Sequence, residues 1–388
     1  MADRKQVKDS KAGGAPKEPK SDAALKASER ICSLEDLSTN ERQVLWGITR
    51  HPSLNDRNLA REVGLKLSTV TAIRNRLKRA GTYSSVRIPL LARVGCELLA
   101  ISYYRLTFAR PPEDVSRVLN EAINDVAPVF YAVADKFQLL TFAFCKDYTE
   151  AHAASEKIRE TLAAKEILNA RSARNIRAFY PLKSAKIINL FDFSMIMRNG
   201  FGLCADETAR GLPPEPDPSP RVLSKIEKKV YAALVLSAGI VDNAIAGQIG
   251  VTRQSLTKIR KRLEADKLLV NVKIPALNIM GSEIMAFAHY KLAPGSPFQR
   301  RKKALGWVMK EIPNFFHITT DQDGVMMGLA RNFSEAQDFL YSVLKLYFNE
   351  GFFIEEPEVT MFSVKDLRVL KSFQFGPILK SVLGPDEL

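Results

Sequence analysis

Few side chains in this 388-residue chain are spaced for covalent chemistry. His51, His152, His289 and His317 are scattered, as are Cys32, Cys96, Cys145 and Cys204. No CxxC pair, HExxH, GxSxG, GxGxxG or GxxxxGK[ST] pattern occurs. The expectation is therefore no metal, no cofactor and no enzyme. The chemistry these residues do carry is recognition of phosphate and of base edges. Between Val63 and Cys96 stand Lys66, Arg74, Arg76, Lys78, Arg79, Arg87 and Arg93 with no acidic residue, a sign that suits a polyanion. Val70, Ile73 and Leu77 recur at helical spacing, which turns Ser68, Thr69, Thr71, Arg74, Asn75 and Arg76 outward. A second basic stretch, from 250 to 282, offers Arg253, Gln254, Ser255, Lys258, Arg260, Lys261, Arg262 and Lys273. There Arg253 and Gln254 can read guanine and adenine edges with paired hydrogen bonds. Arg74, Arg76, Arg260 and Arg262 are candidates for phosphate or guanine, and Thr69, Thr71, Arg253, Gln254, Ser255 and Lys258 for base contact. Arg87 and Lys273 lie where a wing would touch the backbone.

These side chains need a scaffold, and Asn55 to Arg79 supplies one, two short helices joined by a tight turn at Gly64. A packing helix precedes it, opened by Ser38 and Glu41 as a capping box. After Gly81 the segments Tyr83 to Val86 and Arg87 to Leu91 alternate as a strand and wing, with Pro89 at an edge. A shift of 186 positions lays the same pattern over the second stretch, so that Ser38, Glu41, Asp56, Gly64, Thr71, Arg74, Arg76, Pro89 and Tyr104 meet identical residues. Thr252 is a good N-cap for the second recognition helix, whereas the matching Lys66 cannot cap. Each half continues with strand, helix, two strands, helix and strand. The expected fold class is α+β, two tandem copies of a winged helix-turn-helix followed by a βαββαβ ferredoxin-like domain.

The expected divisions are a disordered basic tail over 1–30, winged helix 1 over 31–94, and ferredoxin-like domain 1 with its extension over 95–197. A Pro-rich linker over 198–221, winged helix 2 over 222–280 and ferredoxin-like domain 2 over 281–388 follow. The extensions carry Phe191 and Phe193 in one half and Phe373 and Phe375 in the other, as edge strand or packing arm.

The run LSTNERQVLWGITRHPSLNDRNLAREVGLKLSTVTAIRNRLKRAG, leading through a strand to Val94 and Gly95, resembles the leucine-responsive regulatory protein and AsnC family of transcription regulators. The resemblance implies a second domain that dimerises through its sheets and binds an amino acid near a glycine-and-aspartate turn. Asp135 and Asp321 stand at that turn without the preceding glycine, so their competing role is to form the turn. Siroheme decarboxylases look like paired regulators of this family and carry Arg-Phe-Gly after the recognition helix. Here those places hold Tyr83-Ser84-Ser85 and Leu269-Val270-Asn271.

A net charge of +14 favours a polyanionic partner. No apolar run is long enough to span a membrane and no signal core opens the chain, so a cytoplasmic, nucleoid-associated protein is expected. The main expectation is a regulator of transcription that binds double-stranded DNA, its two halves paired within one chain and reading unlike half-sites. Further homo-oligomerisation and a small-molecule effector stay open. The alternatives are a nonspecific architectural DNA-binding protein and a siroheme-decarboxylase-like enzyme.

Overall fold

The computed structural model describes residues 33–107, 111–169, 175–203 and 219–384. The tail over 1–30 and most of the Pro-rich linker lie outside them.

Helix α1, Thr39–Arg50, begins at Ser38, whose hydroxyl accepts from the Glu41 amide while the Glu41 carboxylate accepts from the Ser38 amide at 3.0 Å. Helices α2, Asp56–Glu62, and α3, Leu67–Arg79, close the first trihelical unit, and Gly64 between them sits at φ +65, which only a residue without Cβ adopts freely. In the second half α7, Lys225–Leu236, α8, Asp242–Ile249, and α9, Arg253–Ala265, repeat the unit. Ser224 and Glu227 rebuild the capping box there, and Gly250 takes the turn at φ +71.

The expected wing is replaced by a single strand. Strand β1, Tyr83–Pro89, runs straight through the anticipated hairpin and pairs antiparallel with β7, Leu269–Pro275, of the other half. Val86 faces Val272 at the centre of this ribbon, and the prolines close its two ends, where a missing N–H costs no ladder bond. The two helix-turn-helix units are therefore joined across one axis.

The first sheet takes β2, Leu98–Arg105, β3, Val129–Ala134, β4, Gln138–Cys145, and β5, Ile176–Pro181, with helices α4, Pro112–Asn124, and α5, Tyr148–Ala164, on one face. The second takes β8, Ile284–Lys291, β9, Asn314–Thr319, β10, Asp323–Ala330, and β11, Glu358–Ser363, with α10, Phe298–Glu311, and α11, Phe333–Asn349. Each sheet gains a fifth strand from the other half. Strand β6, Lys186–Leu190, pairs with β9, and β12, Arg368–Lys371, pairs with β3, so the sheet orders are β12-β3-β4-β2-β5 and β11-β8-β10-β9-β6. The extensions are thus edge strands exchanged between halves, and each ends in a helix, α6, Ser194–Phe201, and α12, Gly376–Leu383. The expected linker start at 198 falls inside α6.

The open faces of the two sheets pack on one another in a core that also reaches under both helix-turn-helix units. Tyr103 stacks on Phe287 at 6.0 Å, Phe142 meets Phe316 at 5.0 Å, and the Gln138 amide donates to the Met361 carbonyl at 2.7 Å. Phe191 and Phe373, at matching places in the two arms, hold φ of 53° and 51° and meet edge to face at 4.8 Å. A positive φ on a phenylalanine costs on the order of 1 kcal/mol. The packing of the two rings, Phe191 buried and Phe373 half-buried, offsets that and turns each exchanged strand into its helix. Buried polar groups pin the arms. Lys371 Nζ donates to the Ile123 and Val126 carbonyls at the end of α4, and the Asn189 amide donates to the Asn314 carbonyl.

Candidate functional site

Two surfaces bring the sequence candidates together, the outer faces of α3 and α9, and a cleft behind them. On α3 the arginines are occupied. Arg74 pairs with Asp56, whose other oxygen accepts from Thr71 at 2.7 Å, and Arg76 reaches Glu41, which is buried in the first turn of α1. On α9 the geometry repeats, with Arg260 on Asp242 at 3.3 Å and Arg262 on buried Glu227 at 2.6 Å. The cause is legible in the sequence: Asp56, Thr71, Arg74, Glu41 and Arg76 are all identical between halves, so the pairs repeat as a set. Ionic locks between helices explain that repetition as well as a shared nucleic-acid face does.

What stays exposed is Ser68 and Asn75 on α3, with Thr69 half-buried, and Arg253, Gln254, Ser255, Lys258 and Lys261 on α9. Among the described residues the side chains of Asn75, Arg253, Gln254, Lys258 and Lys261 make no hydrogen bond or ion pair with the protein. Thr252 caps α9 by accepting from the Ser255 amide at 3.1 Å, whereas α3 starts at Leu67 with no side-chain cap, Lys66 holding the cap position and Ser68 lying inside the helix.

Arg87 and Lys273 do not lie on a wing. Arg87 is 9 % exposed and donates to the Leu234 carbonyl at 2.8 Å, its pKa lowered by burial. Lys273 donates to Ser85 across the β1–β7 ribbon at 2.6 Å, and burial, then the charges of Arg74, Arg87 and Lys78, push its pKa down to about 8. The aspartates of the expected effector turn part company. Asp135 accepts from the Phe137 amide and the Gln138 side chain, which makes it a turn former, while Asp321 accepts from the Phe298 amide at the start of α10.

The feature that residue types alone did not reveal is a cleft of about 580 Å³ between the helix-turn-helix pair and the second sheet. Both halves build it, Leu90, Ala92 and Arg93 after β1, Lys186 to Asp192 of the exchanged strand, Glu264 to Lys273 of α9 and β7, and Phe298 and Met309 of α10. Its volume lies within the range of ligand sites. Two of its acids are already engaged, Glu264 accepting from Asn271 and Asp266 from Arg221. Lys186, Lys267 and Lys273 line it with positive charge, Lys186 standing 5.8 Å from the Phe298 ring centre. The repeat read in the sequence pointed to paired halves, but the cleft arises from the strand exchange. No sequence period announces that exchange. Cys96 and Cys145 are both buried, and no helix among the described residues is long and apolar enough to cross a membrane.

No family model and no curated protein matches the sequence. Among solved structures, the siroheme decarboxylase NirDL aligns over 90 % of this chain and 100 % of its own, with TM-score 0.49 and 10 % identity. The same enzyme in complex with an iron-uroporphyrin III analogue aligns with TM-score 0.48 and 11 % identity, over 90 % of this chain and 99 % of its own. An AsnC-family transcriptional regulator from Agrobacterium tumefaciens covers 37 % of this chain and 90 % of its own, at TM-score 0.29 and 20 % identity. At such identities and scores no activity passes to this chain. The expectation of no enzyme is corrected this far: the solved structures that align over 90 % of this chain are those of an enzyme, at 10 and 11 % identity.

Proposed function

We propose that the chain binds a large polycarboxylate of the tetrapyrrole class in the cleft between its helix-turn-helix pair and second sheet, and decarboxylates it there. The supporting observation is the pairing of a 580 Å³ cleft with Lys273, a half-buried lysine held near pKa 8. Loss of carbon dioxide from an acetate side chain breaks the bond to the carboxyl carbon, and the electron pair left on the methylene carbon takes up a proton. A lysine with lowered pKa can deliver that proton near neutral pH. Leu90, Ile187, Val270, Phe298 and Met309 give the walls an apolar body, and Lys186 and Lys267 line the same cleft as candidate counter-ions for carboxylates. Ser85 and Asn271 stand where the resemblance calls for Arg-Phe-Gly, so the carboxylates are received differently here. Titration with iron-uroporphyrin III as probe, read by its absorbance, tests the reading. Saturable one-to-one binding that weakens about tenfold in Lys186→Ala with Lys267→Ala, and methyl product that falls in Lys273→Met, are expected. No spectral change overturns it.

A second reading rests on the exposed, unpartnered Arg253, Gln254, Lys258 and Lys261 of α9 together with Ser68 and Asn75 of α3. We infer that these faces dock on duplex DNA as two unlike readers within one tandem duplication, divided at the boundaries given above. Gel shifts on duplex DNA at rising salt, with Gln254→Ala and Lys258→Ala, separate it from the first. A loss of affinity in those variants with tetrapyrrole binding unchanged supports both.

A further inference from the structure

The two sheets carry the same architecture on their helix-facing sides, but the polar groups sit at different places: in the second half fully buried Arg301 of α10 donates to Thr319 and to the Ser296 and Thr320 carbonyls, away from the serine position of the first. In the first half, Thr141 lies opposite Ser102 and beside Ala132. The Ser102 and Ser155 hydroxyls lie 3.1 Å apart, and the Tyr104 hydroxyl donates to the Ser155 carbonyl at 3.0 Å. In the second half, the equivalent register places Met326 opposite Ala288 and beside His317. Leu340, eight residues after its N-cap Asn332, stands where Ser155 stands eight after Asp147. The serine network is gone and a cavity of about 70 Å³ opens between β8, β10, α10 and α11.

One polar group enters that apolar space without a partner. His317 is 2 % exposed and lines the cavity; its Nε2 lies 2.7 Å from the Tyr290 hydroxyl, and its Nδ1 has no hydrogen-bond partner among the described residues. Burial pushes its pKa down to about 3, so the ring is neutral. A buried ring nitrogen left unpaired is destabilising, and the matching register position of the other half carries Ala132. Water is a poor occupant, since a buried water normally makes two to four hydrogen bonds and the cavity offers one open partner.

We propose that this cavity is a binding site for a small neutral molecule, apolar but for one hydroxyl, whose hydroxyl pairs with His317 Nδ1. A hydroxyl donates or accepts, and so serves whichever tautomer the Tyr290 contact selects. The lining carries no charged side chain to compensate the desolvation of a charged group, and the one cation whose charge bears on His317, Arg301, is already held by Ser296, Thr319 and Thr320. The volume is about half of the ~150 Å³ that takes benzene, which limits the enclosed part to roughly three to five heavy atoms. The site is separate from the cleft and does not depend on what the cleft binds.

Titration of the full chain with 1-propanol, followed through the long-range proton–nitrogen correlations of the imidazole rings, tests this. A saturable shift at the His317 ring is expected, with His51, His152 and His289 unmoved. Affinity read by ligand-observed resonance broadening should fall about fivefold in His317→Ala, the equivalent of one hydrogen bond at ~1 kcal/mol. Ethyl methyl ether, of the same size without the hydroxyl proton, should bind no tighter than 1-propanol in wild type. Ala288→Leu, which fills the space, should abolish the shift; if that variant does not fold, the His317→Ala comparison decides alone. A shift that rises linearly without saturating, or equal affinity in His317→Ala, overturns the proposal.

Discussion

Glu41 lies buried beneath the first helix-turn-helix with Arg76 as its counter-ion, and Glu227 holds the same place beneath the second with Arg262 and Arg221. Arg76→Ala strands a buried carboxylate. Because Arg76 itself is partly exposed, the expected loss is about 2 kcal/mol rather than the ~3–5 of a fully buried pair, read by denaturant unfolding. Gln254→Ala and Lys258→Ala, exposed and without partners, should leave the unfolding midpoint within about 0.5 kcal/mol of wild type. That contrast separates side chains that hold the fold from those open to a partner. The sequence period put Ser68, Thr69, Thr71, Arg74, Asn75 and Arg76 on the outward face of α3, and none of them is buried, but it could not say which outward charges meet an acid from a neighbouring helix. Lys273 gives a second check. Its folded pKa, about 8, lies below the ordinary lysine value of 10.5. Between those values the unfolded chain holds the extra proton, so the stability contribution of Lys273 rises with pH from about 8 to 10.5 and is lowest below 8. Lys273→Met should flatten that segment of the stability curve.

At the scale of elements, the capping boxes, the helix-turn-helix pair and both βαββαβ orders were legible because each rests on local periods and caps. The wing was not. Alternation from Tyr83 to Leu91 is equally compatible with a hairpin and with one continuous strand, and the choice is made by a partner 186 residues away, since β1 finds its ladder in β7. The Phe-containing arms show the same limit, for they read as edge strands without an address. Strand β12 covers the β3 edge, fixed by Lys371 on two carbonyls at the end of α4. Lys371→Met takes one donor from each carbonyl, while the Val126 and Val129 amides still reach them, and is expected to destabilise by about 1 kcal/mol in thermal unfolding. Deleting 368–384 should bare the β3 edge and drive self-association, seen as higher mass by light scattering, because an unpaired edge is a template for another strand.

For the whole molecule, reciprocal strand exchange makes one core out of two halves and leaves the cleft where they join. The net charge of +14 and the basic stretches indicated an anionic partner, but charge counts alone do not separate a phosphate backbone from carboxylates on a compact ligand. Volume, apolar walls and the lowered pKa of Lys273 favour the compact ligand in the cleft. The most direct measurement is an absorbance titration of the intact chain with iron-uroporphyrin III, repeated in the presence of excess duplex DNA. A saturable one-to-one spectral shift, unaffected by DNA and weakened about tenfold by Lys186→Ala with Lys267→Ala, is the predicted result. An unchanged spectrum, or a shift that DNA abolishes and the cleft variants leave intact, would contradict the assignment of the cleft.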